Sequence, residues 1–372
     1  MTRGCALVFV GLLAFGAAVL PVGAPTWGGT APTADDLYAV LHPSALQPSF
    51  TDPIRWWPAF PQFNVGVGDR APGLRFYVVQ PFERVGDRQP GRAEFTLLLY
   101  DSPAAAAADF RGRLAEQNDA GGVPTAGPAL GERVRYFRRQ SSQFPKLPYE
   151  ATVRVQARQF VLRVTALSPA AYETPQALAR QAGVVLERAL ALTSGQLRAS
   201  AVPKRIADLM PPTAAAARVG PVLGTAVVPI EAWAVADTSG NPPATRVRLR
   251  QGGVNELGFR RYGLAAERNQ VVETTLFAFA SSSSASAWVQ TFVREASREG
   301  TLVPGAVGSE AAFTAYGGSF YELQFAAGRF VGDVSCFAPF GDTSPACVQA
   351  VRSLAEAWYA ALAGAQAKGG TR

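Results

Sequence analysis

The segment VRVQARQFVLRVTALSP (153–169) is written a second time as LQFAAGRFVGDVSCFAP (323–339), at an offset of 323 − 153 = 170 positions. The pair keeps Ala157/Ala327, Phe160/Phe330, Val161/Val331, Val164/Val334 and Pro169/Pro339 in register. Without a gap the match runs on into TPQALARQAGVVLERALAL (174–192) and SPACVQAVRSLAEAWYAAL (344–362). Thr174 and Ser344 are N-cap residues, and Pro175 and Pro345 follow at the first helical position, where a missing N–H costs nothing. Each block therefore reads as a β-hairpin followed by a capped helix. Chance is a poor explanation, because cap, proline and hairpin all recur at one spacing.

Upstream the likeness continues with small insertions. FTLLLY (95–100) leads into an Ala-rich helix from Pro103, and TTLFAF (274–279) leads into SASAWVQTFVREAS. GPALGERVRYF and PGAVGSEAAFTAY then each place a Gly-containing turn before another strand. The expected fold class is α+β, with two tandem repeats, each an antiparallel sheet packed against helices. A chain of 372 residues is long for one core and comfortable for two. The expected boundaries are a signal peptide over 1–24, repeat one over 25–193, a linker over 194–205, repeat two over 206–364 and a disordered tail over 365–372.

The order of elements, with GFRRYG, the Gly-turn strand and the FVGDV hairpin, resembles extracytoplasmic bacterial modules of the PsbP-like and lipoprotein sensor-domain kind. The resemblance implies a non-enzymatic envelope module. None of these motifs is a catalytic signature, so no functional residue is carried over from it.

The N-terminus points to the same compartment. Arg3 supplies the positive side chain of a short n-region, CALVFVGLLAFGAAVL (5–20) is an uncharged apolar run, and Val22 and Ala24 satisfy the small-residue rule at −3 and −1. Pro25 is a poor residue just after a cleavage site, so an uncleaved N-terminal anchor is the alternative. No other segment is long and apolar enough to cross a membrane, which leaves the mature chain without an expected transmembrane segment. Cys5 precedes the apolar run, whereas a lipoprotein cysteine follows it.

Cys336 and Cys347 fall inside the repeat, and their equivalents are 336 − 170, Ala166, and 347 − 170, Ala177. Gain or loss of both together is what a bonded pair predicts, and an exported chain permits the bond. It would pin the end of the hairpin to the first turn of the final helix. Two cysteines with no histidine nearby make a poor zinc site, so no metal or other cofactor is expected.

A catalytic apparatus is hard to assemble from these residues. The single histidine, His42 in LHPSAL, corresponds to Met210 in LMPPTA, and a position that accepts Met suits packing or a turn better than a general base. G-x-S-x-G, S-x-x-K, a P-loop and H-E-x-x-H are all absent. Paired carboxylates leave no local signature, which keeps a polysaccharide hydrolase as an alternative beside a purely structural envelope component. The expected role is binding without catalysis.

Three features could carry that binding. In RWWPAFPQF (55–63), Trp56, Trp57, Phe60 and Phe63 crowd a Pro-rich, loop-like stretch that either grips a ligand or plugs one sheet; IEAWAV keeps one Trp, Trp233, at the matching place. In TRVRLR, Arg246, Arg248 and Arg250 alternate with Val247 and Leu249, which predicts three Arg on one face of a strand, and Arg154 and Arg158 do the same in VRVQAR. Finally, Gly131 to Phe160 spans 160 − 131 = 29 positions against 330 − 308 = 22 from Gly308 to Phe330, so repeat one carries seven more residues. They fall in FRRQSSQFPKLPY, predicted as a surface loop that holds Arg138, Arg139 and Lys146 beside Phe144 and Tyr149. The net charge of +7 is carried almost wholly by Arg, the residue suited to carboxylates and phosphates. For an exported chain the matching partners are an anionic envelope polymer or another envelope protein, and not nucleic acid.

Overall fold

The structure, a computed structural model, describes residues 31–65, 71–86, 90–119, 121–200, 202–236, 241–264, 270–299, 301–302, 307, 311–316, 320–337 and 344–369. The expected signal peptide and Cys5 lie outside these residues. Repeat one forms an antiparallel sheet of β1 (Trp56–Pro58), β2 (Gln62–Val65), β3 (Leu74–Arg84), β4 (Arg92–Tyr100), β5 (Val123–Thr125), β6 (Arg133–Gln140), β7 (Tyr149–Ala157) and β8 (Phe160–Ser168). Its order is β1-β3-β4-β8-β7-β6-β5, with β2 also paired to β3. Repeat two has β9 (Val222–Pro229), β10 (Glu256–Gly263), β11 (Val271–Ala278), β12 (Thr301–Leu302), β13 (Ala311–Tyr316), β14 (Phe320–Ala327) and β15 (Phe330–Phe337). Its order, β12-β13-β14-β15-β11-β10-β9, is the same path with β9 in the place of β1 and β2. The fold is α+β, and two sheet-based units fit the tandem description.

Period-two alternation lets a strand bury apolar side chains on both faces of its sheet. On β4, Leu97 and Leu99 face α4 (Pro175–Thr193), while Leu98 and Tyr100 face α3 (Pro103–Asp119) with its Ala106 and Phe110. Helix α4 starts where its sequence says it should: the Thr174 side chain accepts the Ala177 N–H at 3.2 Å. Its Leu178, Ala182, Val185, Ala189 and Leu192 recur at helical spacing and are buried. In repeat two, α10 (Pro345–Gly369) takes the place of α4 and α9 (Ser282–Glu299) that of α3. Trp358 of α10 is fully buried, and its indole N–H donates to the Leu209 carbonyl at 2.6 Å.

The two-residue turns that close the long hairpins show how the copies solve one backbone problem differently. Repeat two uses Gly328 at φ 55°, whereas repeat one puts Arg158 there at φ 50°. Glu132 compensates, accepting the Arg158 backbone N–H at 3.0 Å and the Gln156 side-chain amide at 2.8 Å. Arg158 therefore lies in the turn, and Arg154 is buried on β7, so the two do not form the solvated strand face that VRVQAR suggested.

Other expectations change as well. TRVRLR is not a strand: it lies in α8 (Pro242–Gln251), capped by Asn241, whose side chain accepts the Ala244 N–H. The Asn-Pro-Pro start outweighs the alternation, and helical geometry then separates the three Arg. Arg246 and Arg250, four apart, both reach Glu231 (3.5 and 3.2 Å), while Arg248 lies over the Trp288 ring. Arg138 and Arg139 are on strand β6 and not in the loop after it. RWWPAFPQF supplies the short strands β1 and β2. The last helix runs on to Gly369, through most of the segment expected to be disordered, and Gln366 there donates to the Ala327 carbonyl at 2.9 Å.

Cys336 and Cys347 are bonded, with Cα atoms 5.9 Å apart, and join the end of β15 to the first turn of α10. Ala166 and Ala177 occupy the same places in repeat one, both buried.

Candidate functional site

The two repeats share one apolar core. Phe63 is fully buried and meets Tyr38 on one side and Phe259 of repeat two on the other, at ring distances of 5.6 and 6.5 Å. Phe60 lies 4.9 Å from Phe259 and 6.1 Å from Trp233, which belongs to α7 (Ile230–Ala236). The Trp expected to repeat the aromatic cluster thus packs against that cluster. Trp57 is buried with Arg246 of α8 at 4.4 Å over its ring, and Trp56 stacks on Phe50 at 4.6 Å. These aromatics form the seam between the repeats. Gly224 of β9 lets the strand pass Phe63, since a Cβ there would collide with the ring.

Beside this seam lies a cavity of about 510 Å³. One wall is α1 (Ala34–Val40), the adjoining wall is the edge strand β9, and linker residues 197–200, 202 and 203 close a third side. Helix α1 is fixed by a capping box in which Thr33 and Asp36 bond each other reciprocally. The linker is held to it by the Ala199 N–H, which donates to Asp36 at 2.9 Å. Asp35 accepts the Thr225 N–H of β9 at 2.9 Å, and the Tyr38 hydroxyl donates to the Val227 carbonyl at 3.5 Å. Arg188 reaches in from α4, donating through Nε to Val40 (2.9 Å) and through Nη2 to Ala39 (2.6 Å). It thereby satisfies carbonyls left open at the C-terminus of α1.

The charged groups around the cavity are tuned by burial. Asp35 is raised above the ordinary carboxylate range by burial, against the pull of the Thr225 N–H. His42 is lowered, first by burial and then by the Arg188 cation, which favours the neutral ring. Its Nδ1 lies 2.8 Å from the Ser44 hydroxyl and accepts the Ser44 N–H at 3.4 Å as N-cap of α2 (Pro43–Leu46). Among the described residues Asp35 is the one carboxylate in the lining, set against Arg188 and Arg198. Sequence reading missed Arg188 and Asp35, although one signal was present. Arg188 stands where repeat two has Trp358 (358 − 170 = 188), so a cation replaces a core tryptophan.

The expected loop residues are tied back to the sheet. Arg139 pairs with Glu150 at 2.9 Å, Phe144 lies under Arg92 at 5.4 Å, and Tyr149 meets Tyr172 edge-on at 5.1 Å. Arg138 lies 5.8 Å over the Tyr172 ring; it and Lys146 remain exposed. None of these, nor Trp56, Trp57, Arg246, Arg248 or Arg250, lines the cavity.

A second polar cluster sits under repeat two's sheet. Asp333 is buried on β15 and hydrogen-bonded with Glu322 of β14, which also accepts from Gln324 at 3.0 Å. Burial first, and the Glu322 charge second, push the Asp333 carboxyl well above its usual range. At the equivalent positions repeat one has Arg163 for Asp333 (333 − 170), Arg154 for Gln324 (324 − 170) and Thr152 for Glu322 (322 − 170), so the duplicate carries the opposite charge. A raised carboxyl holds its proton more tightly folded than unfolded. It contributes stability that is complete below the ordinary carboxylate pKa and is lost as pH rises towards the raised value. Asp333→Asn should therefore increase stability at neutral and alkaline pH and flatten that decline in urea titrations. Parallel pH profiles for variant and wild type would refute the assignment.

Among the described residues no group of His, Cys, Asp and Glu is arranged to hold a metal ion, and no helix is long and apolar enough to cross a membrane. No family model matches the chain, and no curated protein does. A search of solved structures finds a likeness to the extracellular domain of PknH from Mycobacterium tuberculosis, with TM-score 0.32 and 13% identity over 44% of this chain and 100% of that one. A likeness at this level assigns neither fold nor function.

Proposed function

We propose that the protein is exported and acts by binding, without catalysis, taking a small amphipathic ligand into the cavity between its repeats. The observation that carries this reading is the make-up of the cavity. It has a volume suited to a small organic molecule, walls from both repeats, an apolar side of Leu197, Val202 and Val227, and polar groups converging from Asp35, His42 and Arg188. A lining with a single carboxylate favours binding over two-carboxylate hydrolysis. The buried disulfide supports an oxidising compartment. An anionic envelope polymer is the partner class for the exposed Arg133, Arg135 and Arg138 of β6, away from the cavity.

Native mass spectrometry of protein purified from its own host tests the proposal. The wild type should retain a small molecule, and Ala39→Phe, which fills the cavity from α1, should lose it with little change in melting. Equal retention by the variant would move the site elsewhere. A wild type that carries no ligand, and gains none from envelope extract, would overturn the binding role.

A further inference from the structure

We infer that the cavity's ligand is a short peptide with a free C-terminal carboxylate, docked by its backbone on the open edge of β9; this rests on the binding reading above. β9 is the last strand of its sheet, paired on one side only, to β10. Because the Thr225 N–H turns away from β10 to reach Asp35, the amide groups of Thr225 point outward from the sheet. The strand's period of two repeats this at Val227, whose carbonyl meets the Tyr38 hydroxyl. Helix α1 thus covers two of four outward groups. The remaining two, the Thr225 carbonyl and the Val227 N–H, border the cavity, and among the described residues no hydrogen bond reaches them.

An acceptor and a donor flanking one residue, here Ala226, are what a strand offers to a parallel neighbour through one of its residues, or to an antiparallel neighbour through two. A single residue of the incoming chain would donate its N–H to Thr225 and accept from Val227 through its carbonyl. Of the two directions, the parallel one is proposed because it carries the carboxylate to a cation. Asp35 lies beside Thr225 and Tyr38 beside Val227, so α1 and β9 run the same way. Helix α1 ends at Val40, where Arg188 is anchored. A peptide parallel to β9 therefore points its C-terminus at Arg188 and His42. Arg188 spends Nε and Nη2 on the helix end and keeps Nη1 for a carboxylate. In the tautomer in which Nδ1 accepts from the Ser44 N–H, His42 carries its proton on Nε2 and offers a second donor.

The test uses the mature full-length protein with valine amides labelled by nitrogen-15, and the tripeptide alanyl-valyl-alanine as probe. The free acid should bind and move the Val227 amide resonance downfield. Methylating the peptide's backbone nitrogens removes its donors and should weaken binding about tenfold or more, as should capping its carboxylate as an amide. Arg188→Gln should abolish the preference for acid over amide, while the methylated analogue reports on the strand edge whatever that variant does to folding. Equal binding of parent and methylated peptide overturns the inference. So does binding of octanoate, a non-peptide carboxylate, at the same cavity resonances when the tripeptide gives none. That last outcome would leave the cavity as a ligand site and remove only the peptide.

Discussion

Phe63→Ala is expected to cost about 3–5 kcal/mol and to split a single unfolding transition into two. The side chain is fully buried, and it joins Tyr38 of repeat one to Phe259 of repeat two within one continuous core. Its loss leaves a cavity at the seam and weakens the coupling that makes the repeats unfold together. Calorimetry and urea melts followed by two probes would show this, with repeat two, deprived of its cover at Phe259, melting first. A variant that stays cooperative and loses less than about 1 kcal/mol would mean that the repeats are held together by other contacts.

Removing the disulfide should act locally. Cys336 and Cys347 are 11 positions apart, and closing so short a loop stabilises by roughly 3 kcal/mol in the chain-entropy model. Replacing both by alanine copies Ala166 and Ala177, small residues that the equivalent sites of repeat one already bury. The double variant should lose about 2–3 kcal/mol, and hydrogen exchange should speed up in β15 and α10 while β7, β8 and α4 keep their protection. Labelling of a free thiol at either position in the unreduced wild type would contradict the bond itself.

Local chemistry made much of this architecture legible. Thr174-Pro175 and Ser344-Pro345 announced two helices, and the paired Cys-to-Ala differences announced a disulfide. The two strand orders are the same path because the same hairpins were written twice. TRVRLR misled because alternation and helical capping coexist there, and the cap at Asn241 with its two prolines decided the outcome. The cavity was not legible. Its walls come from α1, α4, the linker and β9, so Asp35 and Thr225 meet across 225 − 35 = 190 positions. No local motif encodes such a meeting. One departure from the repeat does mark the region: Arg188 for Trp358.

The shared seam also sets a schedule for synthesis. Phe63 is made 259 − 63 = 196 residues before Phe259, the ring that covers it. At ribosomal speeds of ~5–20 residues per second, the first repeat waits roughly 10–40 s with its aromatic face uncovered. During that interval Phe60 and Phe63 are the adhesive part of the nascent chain, and whatever escorts it must shield them until the second half arrives.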